Sequence, residues 1–160
     1  MQLQFFAMSV ISIVNTCKFT HEFKMGVRGY HVYQAVWKPF IEQELEFHQE
    51  PSNPHDMFAV AAKAKGKEHL APIIVGHVPI ELSRHFYFAL KRGCSATGRV
   101  LDSKPNRSPL TQGGLEIPCK IMLSWSSRTG IAIFRDFINK SYDMEKCLVD
   151  DSPTILLIPL

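Results

Sequence analysis

The chain has 160 residues, 46% hydrophobic and 21% charged. That is the balance of an ordinary globular protein, and a chain this long buries roughly two-thirds of the surface its unfolded form exposes, so one domain is expected with no need of disulfides or a metal. The formal charge of +3 and the pI of about 8.7 are compatible with a polyanionic partner without selecting one. The distribution of charge says more. Between Leu82 and Arg107 the basic residues are Arg84, Lys91, Arg92, Arg99, Lys104 and Arg107, against Asp102 alone, whereas Glu42 to Glu50 carries Glu42, Glu44, Glu46 and Glu50 and no cation. A basic strip of this kind can follow a phosphate backbone, and a randomly clustered solvated surface is the alternative.

In chain order, Leu3 to Val14 is apolar but interrupted by Gln4, Ser9 and Ser12, with no preceding Lys or Arg. It is too short to span a bilayer and has no small-residue cleavage site, so residues 1–24 read as an extension or an extra strand. Val27 to Trp37, rich in β-branched and aromatic residues, predicts a strand ended by Pro39. Glu44 to Glu50 alternates, with Leu45 and Phe47 on one face and the glutamates and His48 on a wet one, which predicts a solvated edge strand. Glu50 to Asp56 holds Pro51, Pro54, Ser52, Asn53 and Asp56 and predicts a rigid turn. Met57 to Ala62 and Ile73 to Val78 predict strands, joined by a polar loop from Lys63 to His69.

The period then changes. Leu82, Phe86, Ala89 and Leu90 share one face of a helix from Glu81 to Arg92, with Pro79 at its start and Lys91, Arg92 and Gly93 at its end. Cys94 to Leu101 predicts a strand with a bulge at Gly98, followed by a long loop from Asp102 to Gly114. Leu115 to Leu123 alternates, and Pro118 marks it as an edge or bulged strand. Ile131 to Lys140 predicts a short helix, and Asp150 to Leu160 an apolar, loosely held tail. The expected fold is mainly β: a six-stranded barrel with one inserted helix and a short C-terminal helix. The expected division is an extension over 1–24, a barrel domain over 25–125 and a helix and tail over 126–160.

Several chemistries find no support. Gly93 to Val100 approaches a phosphate-binding G-x₄-G-K-[ST] loop, but Arg99 and Val100 replace the Lys and the hydroxyl residue, and the segment leaves a helix instead of entering one. There is no G-x-S-x-G elbow. Cys17, Cys94, Cys119 and Cys147 are widely separated, and no pair of the seven histidines has metal-site spacing, so no catalytic residue, metal ligand or cofactor is assigned and the cysteines read as small apolar residues in a reducing compartment.

The most specific segment is Glu50-Pro51-Ser52-Asn53-Pro54-His55-Asp56-Met57-Phe58-Ala59-Val60. It is preceded by Gly29-Tyr30-His31-Val32-Tyr33 and followed by Val75-Gly76-His77-Val78 before the helix. Together these resemble the HIRAN domain, whose pattern runs from a Gly- and aromatic-rich strand through E-P-x-N-P-[YF]-D-x-x-A-[IV] to V-G-[HY] and a helix; the resemblance covers roughly Val27 to Leu123. It implies an OB-like β-barrel that binds single-stranded DNA and in some members grips a free 3′-hydroxyl end.

By residue type, Asn53 and Asp56 can hydrogen-bond the backbone and fix the turn. Carried over residue by residue, the resemblance implies that Asp56 accepts the terminal hydroxyl, His55 takes the place of the family's aromatic, and His77 donates to a phosphate. Tyr30 and Tyr33 are the stacking candidates. Arg28, Arg84, Lys91 and Arg92 are added from composition as phosphate cations. Each has a structural alternative: Asp56 as a cap of the turn, Tyr30 and Tyr33 as core, His77 as partner of a buried backbone group. His55, Phe58 and Ile80 depart from the family's usual aromatic, Asn and Lys, and bear on end binding more than on the fold.

The expected function is a non-catalytic module for single-stranded DNA or DNA ends, intracellular and nuclear, with no membrane segment. Two alternatives stand. One is a β module for protein partners, using the tail from Ile155 to Leu160 and the strand at Pro118. The other is a fragment of a larger DNA-dependent ATPase, since the family's domain is often fused to such motors or accompanied by zinc-binding modules, although no motor or zinc site is present in this sequence.

Overall fold

The computed structural model describes residues 19–65, 71–108 and 114–141. The strands are β1 (Phe19–Arg28), β2 (Glu44–Gln49), β3 (Val60–Ala64), β4 (Ile73–His77), β5 (Ser95–Val100), β6 (Asn106–Arg107) and β7 (Leu115–Trp125). The helices are α1 (Tyr30–Tyr33), α2 (Ile80–Lys91) and α3 (Arg128–Ser141). Neighbouring strands run in the order β1-β4-β3-β2-β5-β7, and β7 pairs back onto β1, so six antiparallel strands close a barrel with β6 outside it. This is the expected architecture. The seam between β1 and β7 is paired from Phe19↔Trp125 to Arg28↔Glu116. The seam between β1 and β4 rests on one pair, Arg28↔His77. Gly76 is needed there: a Cβ on it would lie 2.5 Å from the Arg28 carbonyl and from Val27 Cγ1.

The strand expected over Val27 to Trp37 is displaced. The barrel strand starts at Phe19, across the 24/25 boundary drawn from sequence, and ends at Arg28. Gly29 then takes φ +92, a left-handed conformation glycine adopts without a steric penalty, and turns the chain into α1. Tyr30, Tyr33 and Trp37 lie at helical spacing, and the Trp37 N–H donates to the Tyr33 carbonyl at 2.9 Å. Val32 and Val36 lie outside, 64% and 67% exposed. A local turn set by Gly29 overrides the β propensity of these residues.

Four smaller expectations also change. β2 is no edge, because it lies between β3 and β5. β3 starts at Val60, not Met57, which is exposed in the preceding turn, and the register break falls between Ala62 and Lys63. Gly98 is regularly paired to Leu45 and Ile121; it is small because Phe47 crosses it, with ring carbon Cε2 2.9 Å from where a Cβ would be. β7 is neither an edge nor bulged at Pro118, which is paired opposite Gly26. The Pro118 carbonyl accepts from the Leu101 N–H on the flank where β5 gives way to β6, so the missing N–H falls in a gap of the ladder.

α2 follows the sequence reading, with Pro79 before it, Glu81 in its first turn, Lys91 in its last and Gly93 at φ +90 after it. Its Phe86 is fully buried, with ring centroids 6.0 Å from Phe23 and 6.3 Å from Phe47. α3 is longer than expected, and its Phe134, 5.3 Å from Phe86, and Ile138 join the same core. Burying those two side chains is worth roughly 3–6 kcal/mol by area, so α3 belongs to the folded unit. The loop from Asp102 to Gly114 contributes β6; its residues 109–113, the N-terminal stretch 3–14, residues 66–69, the tail 150–160, Cys17 and Cys147 lie outside the described residues.

Candidate functional site

The turn from Glu50 to Asp56 is built from its own side chains. Asn53 Oδ1 accepts the backbone N–H groups of His55 at 2.9 Å and Asp56 at 3.2 Å. Asp56 Oδ1 accepts the Phe58 N–H at 2.8 Å, and the Glu50 N–H donates to the Ala59 carbonyl at 2.9 Å, so the loop is closed at its neck. Pro51 and Pro54 restrict the same backbone, which lowers the entropy lost in ordering it. His55 is left exposed and Asp56 half-buried at the rim of the barrel.

The turn is tied to the end of β4 through Glu50. Glu50 Oε2 accepts from Asn53 Nδ2 at 2.9 Å and lies 2.6 Å from His77 Nε2. Burial pushes the Glu50 carboxyl up. The hydrogen bonds from Asn53 and His77, with the charges of His77 and Lys63, outweigh that and hold it below the usual value. The Tyr33 ring stands 6.1 Å from His77. Burial, then the nearby Glu50 charge, pushes its phenol above 10.0, so it is a neutral hydroxyl at physiological pH. Asn53, His55, Asp56, His77 and Tyr33 are thus gathered at one end of the barrel, with Glu50 binding them together. Met57 and Ile80, 72% and 58% exposed, flank them with apolar surface.

Other candidates are placed differently. Arg28 lies at the β1–β4 seam, and its Nη1 donates to Glu81 at 2.9 Å and 3.2 Å. Its Nε is 3.6 Å from Glu116, and Nη2 donates to Ser108 Oγ at 3.3 Å. Glu116 is so enclosed that burial raises its carboxyl even against the Arg28 charge. Two carboxylates therefore hold the Arg28 charge, which leaves little for a phosphate. Tyr30 packs edge-on against the buried Trp37, centroids 5.8 Å apart, and contributes to the core. Arg84 extends over the Phe58 ring, 5.2 Å from guanidinium carbon to centroid, and Lys91 and Arg92 are exposed at the far end of α2. These three form no ion pair among the described residues, in contrast to Arg99, which is 3.4 Å from Glu42. The basic stretch thus resolves into unpaired cations on α2 and a neutralised one on β5.

The sequence reading placed Glu50 on a solvated face and missed its part in the site. The signal was its position three residues before Asn53, within reach of the amide it binds. The geometry also fixes how His77 can act. Its Nε2 faces Glu50, so donation to a ligand falls to Nδ1 and requires the doubly protonated ring. Nucleophilic chemistry is disfavoured at Cys94 and Cys119, whose thiols burial pushes up to about 12.

No protein-family model matches the sequence, and no curated protein does. Solved structures do. The crystal structure of the HIRAN domain of human HLTF superposes with a TM-score of 0.60 at 14% identity, over 81% of this chain and 96% of that one. The NMR structure of the HLTF HIRAN domain gives 0.51 at 15% identity, over 76% and 88%. The chain has the fold of a HIRAN domain.

Proposed function

We propose that this chain is a DNA-binding module that receives a single strand, and in particular a free 3′-hydroxyl end, at the rim formed by the Glu50–Asp56 turn, His77 and Tyr33. The observation that carries this reading is Asp56. Its Oδ1 is fixed by the Phe58 N–H, and among the described residues Oδ2 accepts no hydrogen bond, so a rigid carboxylate oxygen at the rim awaits a donor. A hydroxyl satisfies it. A terminal phosphate brings a second anion beside Asp56 and Glu50 and is repelled. Tyr33 and His55 supply flat faces for the terminal sugar or base, and the unpaired cations of α2 lie farther along, beyond the reach of the last few nucleotides. The sequence resemblance of the turn and of Val75-Gly76-His77 to the HIRAN pattern supports the same role, and no catalytic step is part of it.

The test is fluorescence anisotropy with a labelled oligonucleotide ending in a 3′-hydroxyl or a 3′-phosphate. Tighter binding of the hydroxyl end, lost in the Asp56→Asn/His77→Ala double variant with the melting curve retained, is the expected result. Equal binding of both ends by both proteins overturns the end-binding site.

A second reading, contact with a protein, is favoured by one stretch of chain: Val32 on α1, and Val36, Phe40 and Ile41 on the connection to β2, are each at least 60% exposed. Ligand binding that does not weaken as salt rises would favour it.

A further inference from the structure

We infer that α2 carries a track along which a single strand continues beyond the rim, with Arg84 and Arg92 on its phosphates and a base seated against Phe88. This rests on the DNA-binding reading above and adds a second contact region to it. Arg84, Phe88 and Arg92 recur every fourth residue and line one wall of a cavity of about 200 Å³ between α2 and α3; Ile133 and Phe137 form part of the opposite wall. The backbones of Arg84 and Arg92 stand about 12 Å apart along the helix axis by the rise per residue. An extended strand laid along the helix brings non-adjacent phosphates to that spacing.

Three observations favour a nucleic-acid strand. No Asp or Glu lines the cavity, whereas Arg84, Arg92 and His85 do. Phe88, Trp125, Phe134 and Phe137 are among its lining residues; Trp125 and Phe134 belong to the core, and the half-buried Phe88 offers the face on which a base can stack. The cavity is also joined to the rim: the Phe58 N–H is fixed by Asp56, Arg84 lies over the Phe58 ring, and that ring is 5.5 Å from Phe88. A strand whose end meets Asp56 therefore passes Phe58 and Arg84 to reach Phe88 and Arg92. Ile133, 63% exposed on α3, is the apolar edge over which the base enters.

The experiment compares (dT)3 and (dT)10, both with free 3′-hydroxyl ends, binding the full chain and its Arg84→Gln/Arg92→Gln variant. Both side chains are exposed, so the fold should persist, checked by the melting curve. Each phosphate contact on a single strand contributes a salt slope of about 0.7, or roughly fivefold in affinity at 0.1 M salt. The variant should lose about 25-fold for (dT)10 with a slope shallower by about 1.4, and stay within about twofold for (dT)3. An equal loss for both lengths, or none for (dT)10, overturns the track; in the latter case the cavity is left to a protein ligand. The Asp56→Asn/His77→Ala variant separates the two readings, because indifference of (dT)3 to it sinks the rim site, whereas the track is judged by the length dependence alone.

Discussion

Replacing Gly76 by Ala tests how the barrel closure and the rim depend on each other. The β1–β4 seam has one paired register, Arg28↔His77, and Gly76 stands beside it. The added Cβ would lie 2.5 Å from the Arg28 carbonyl oxygen and from Val27 Cγ1. The carbonyl is backbone and Val27 is fully buried, so neither yields by a rotamer change. Overpacking of this kind costs about 1–3 kcal/mol. The alanine restrains the unfolded chain and recovers about 0.4–1 kcal/mol of that. A net loss of about 1–2 kcal/mol corresponds to a fall in Tm of roughly 2–8 °C for a chain of this size. Urea unfolding followed by fluorescence of the buried Trp37 and Trp125 measures it. Gly93→Ala is the control: its φ is +90 but no atom lies within 4 Å of the added Cβ, so only backbone strain is paid, about 1 kcal/mol. Gly76→Ala should in addition shift His77 and weaken oligonucleotide binding, which Gly93→Ala should not. A Gly76→Ala protein as stable as the parent would refute the tight seam.

Other expectations follow from single groups. Glu50 has its folded pKa below the ordinary 4.5, so its contribution is full above that value and is lost as pH falls through the folded one. Glu50→Gln should cost about 1–2 kcal/mol in chemical unfolding at pH 7 and flatten the acid limb of the stability curve; an unchanged limb would remove Glu50 from the network. His85, stacked on Phe137, is pushed below 6.5 by burial and then by Arg84, so its neutral form is the folded one. Stability should therefore be full above about pH 6.5 and decline as pH falls toward the folded value, and His85→Gln should reduce that decline in urea midpoints taken at pH 7.5 and 5.5. Cys94 and Cys119, with thiols pushed up to about 12, should resist alkylation in the native state and react after unfolding, as read by peptide mass spectrometry.

Much of the barrel was legible because its signals are local and periodic. Leu45 and Phe47 alternate with glutamates, and the helical face of Leu82, Phe86 and Ala89 is bracketed by Pro79 and Gly93. The segment after Gly29 misled because Val32, Tyr33 and Val36 have β propensity, while the left-handed glycine that redirects them is a single residue whose φ cannot be read from neighbours. Pro118 pointed to an edge because the rule concerns a missing N–H. Whether that N–H would have faced a partner depends on where β5 ends and β6 starts, which is a tertiary fact. In the site, Asn53 and Asp56 announced the turn by residue type, but the carboxylate joining it to His77 comes from a residue that continues an acidic wet face. Likewise Arg28 is one more cation in sequence; only the fold brings Glu81 and Glu116, distant along the chain, onto it.

If the rim at Asp56 and His77 receives a DNA end, the amides around it must sense the end. The decisive experiment titrates a ¹⁵N-labelled sample with (dT)3 bearing a free 3′-hydroxyl and follows the backbone amide shifts. Saturable shifts centred on Asn53 to Phe58, His77 and Tyr33 are expected, with those of Arg84 to Arg92 following only when (dT)10 is used. Shifts confined to Val32–Ile41, to the β2 and β5 outer face, or absent altogether would contradict end binding at the rim.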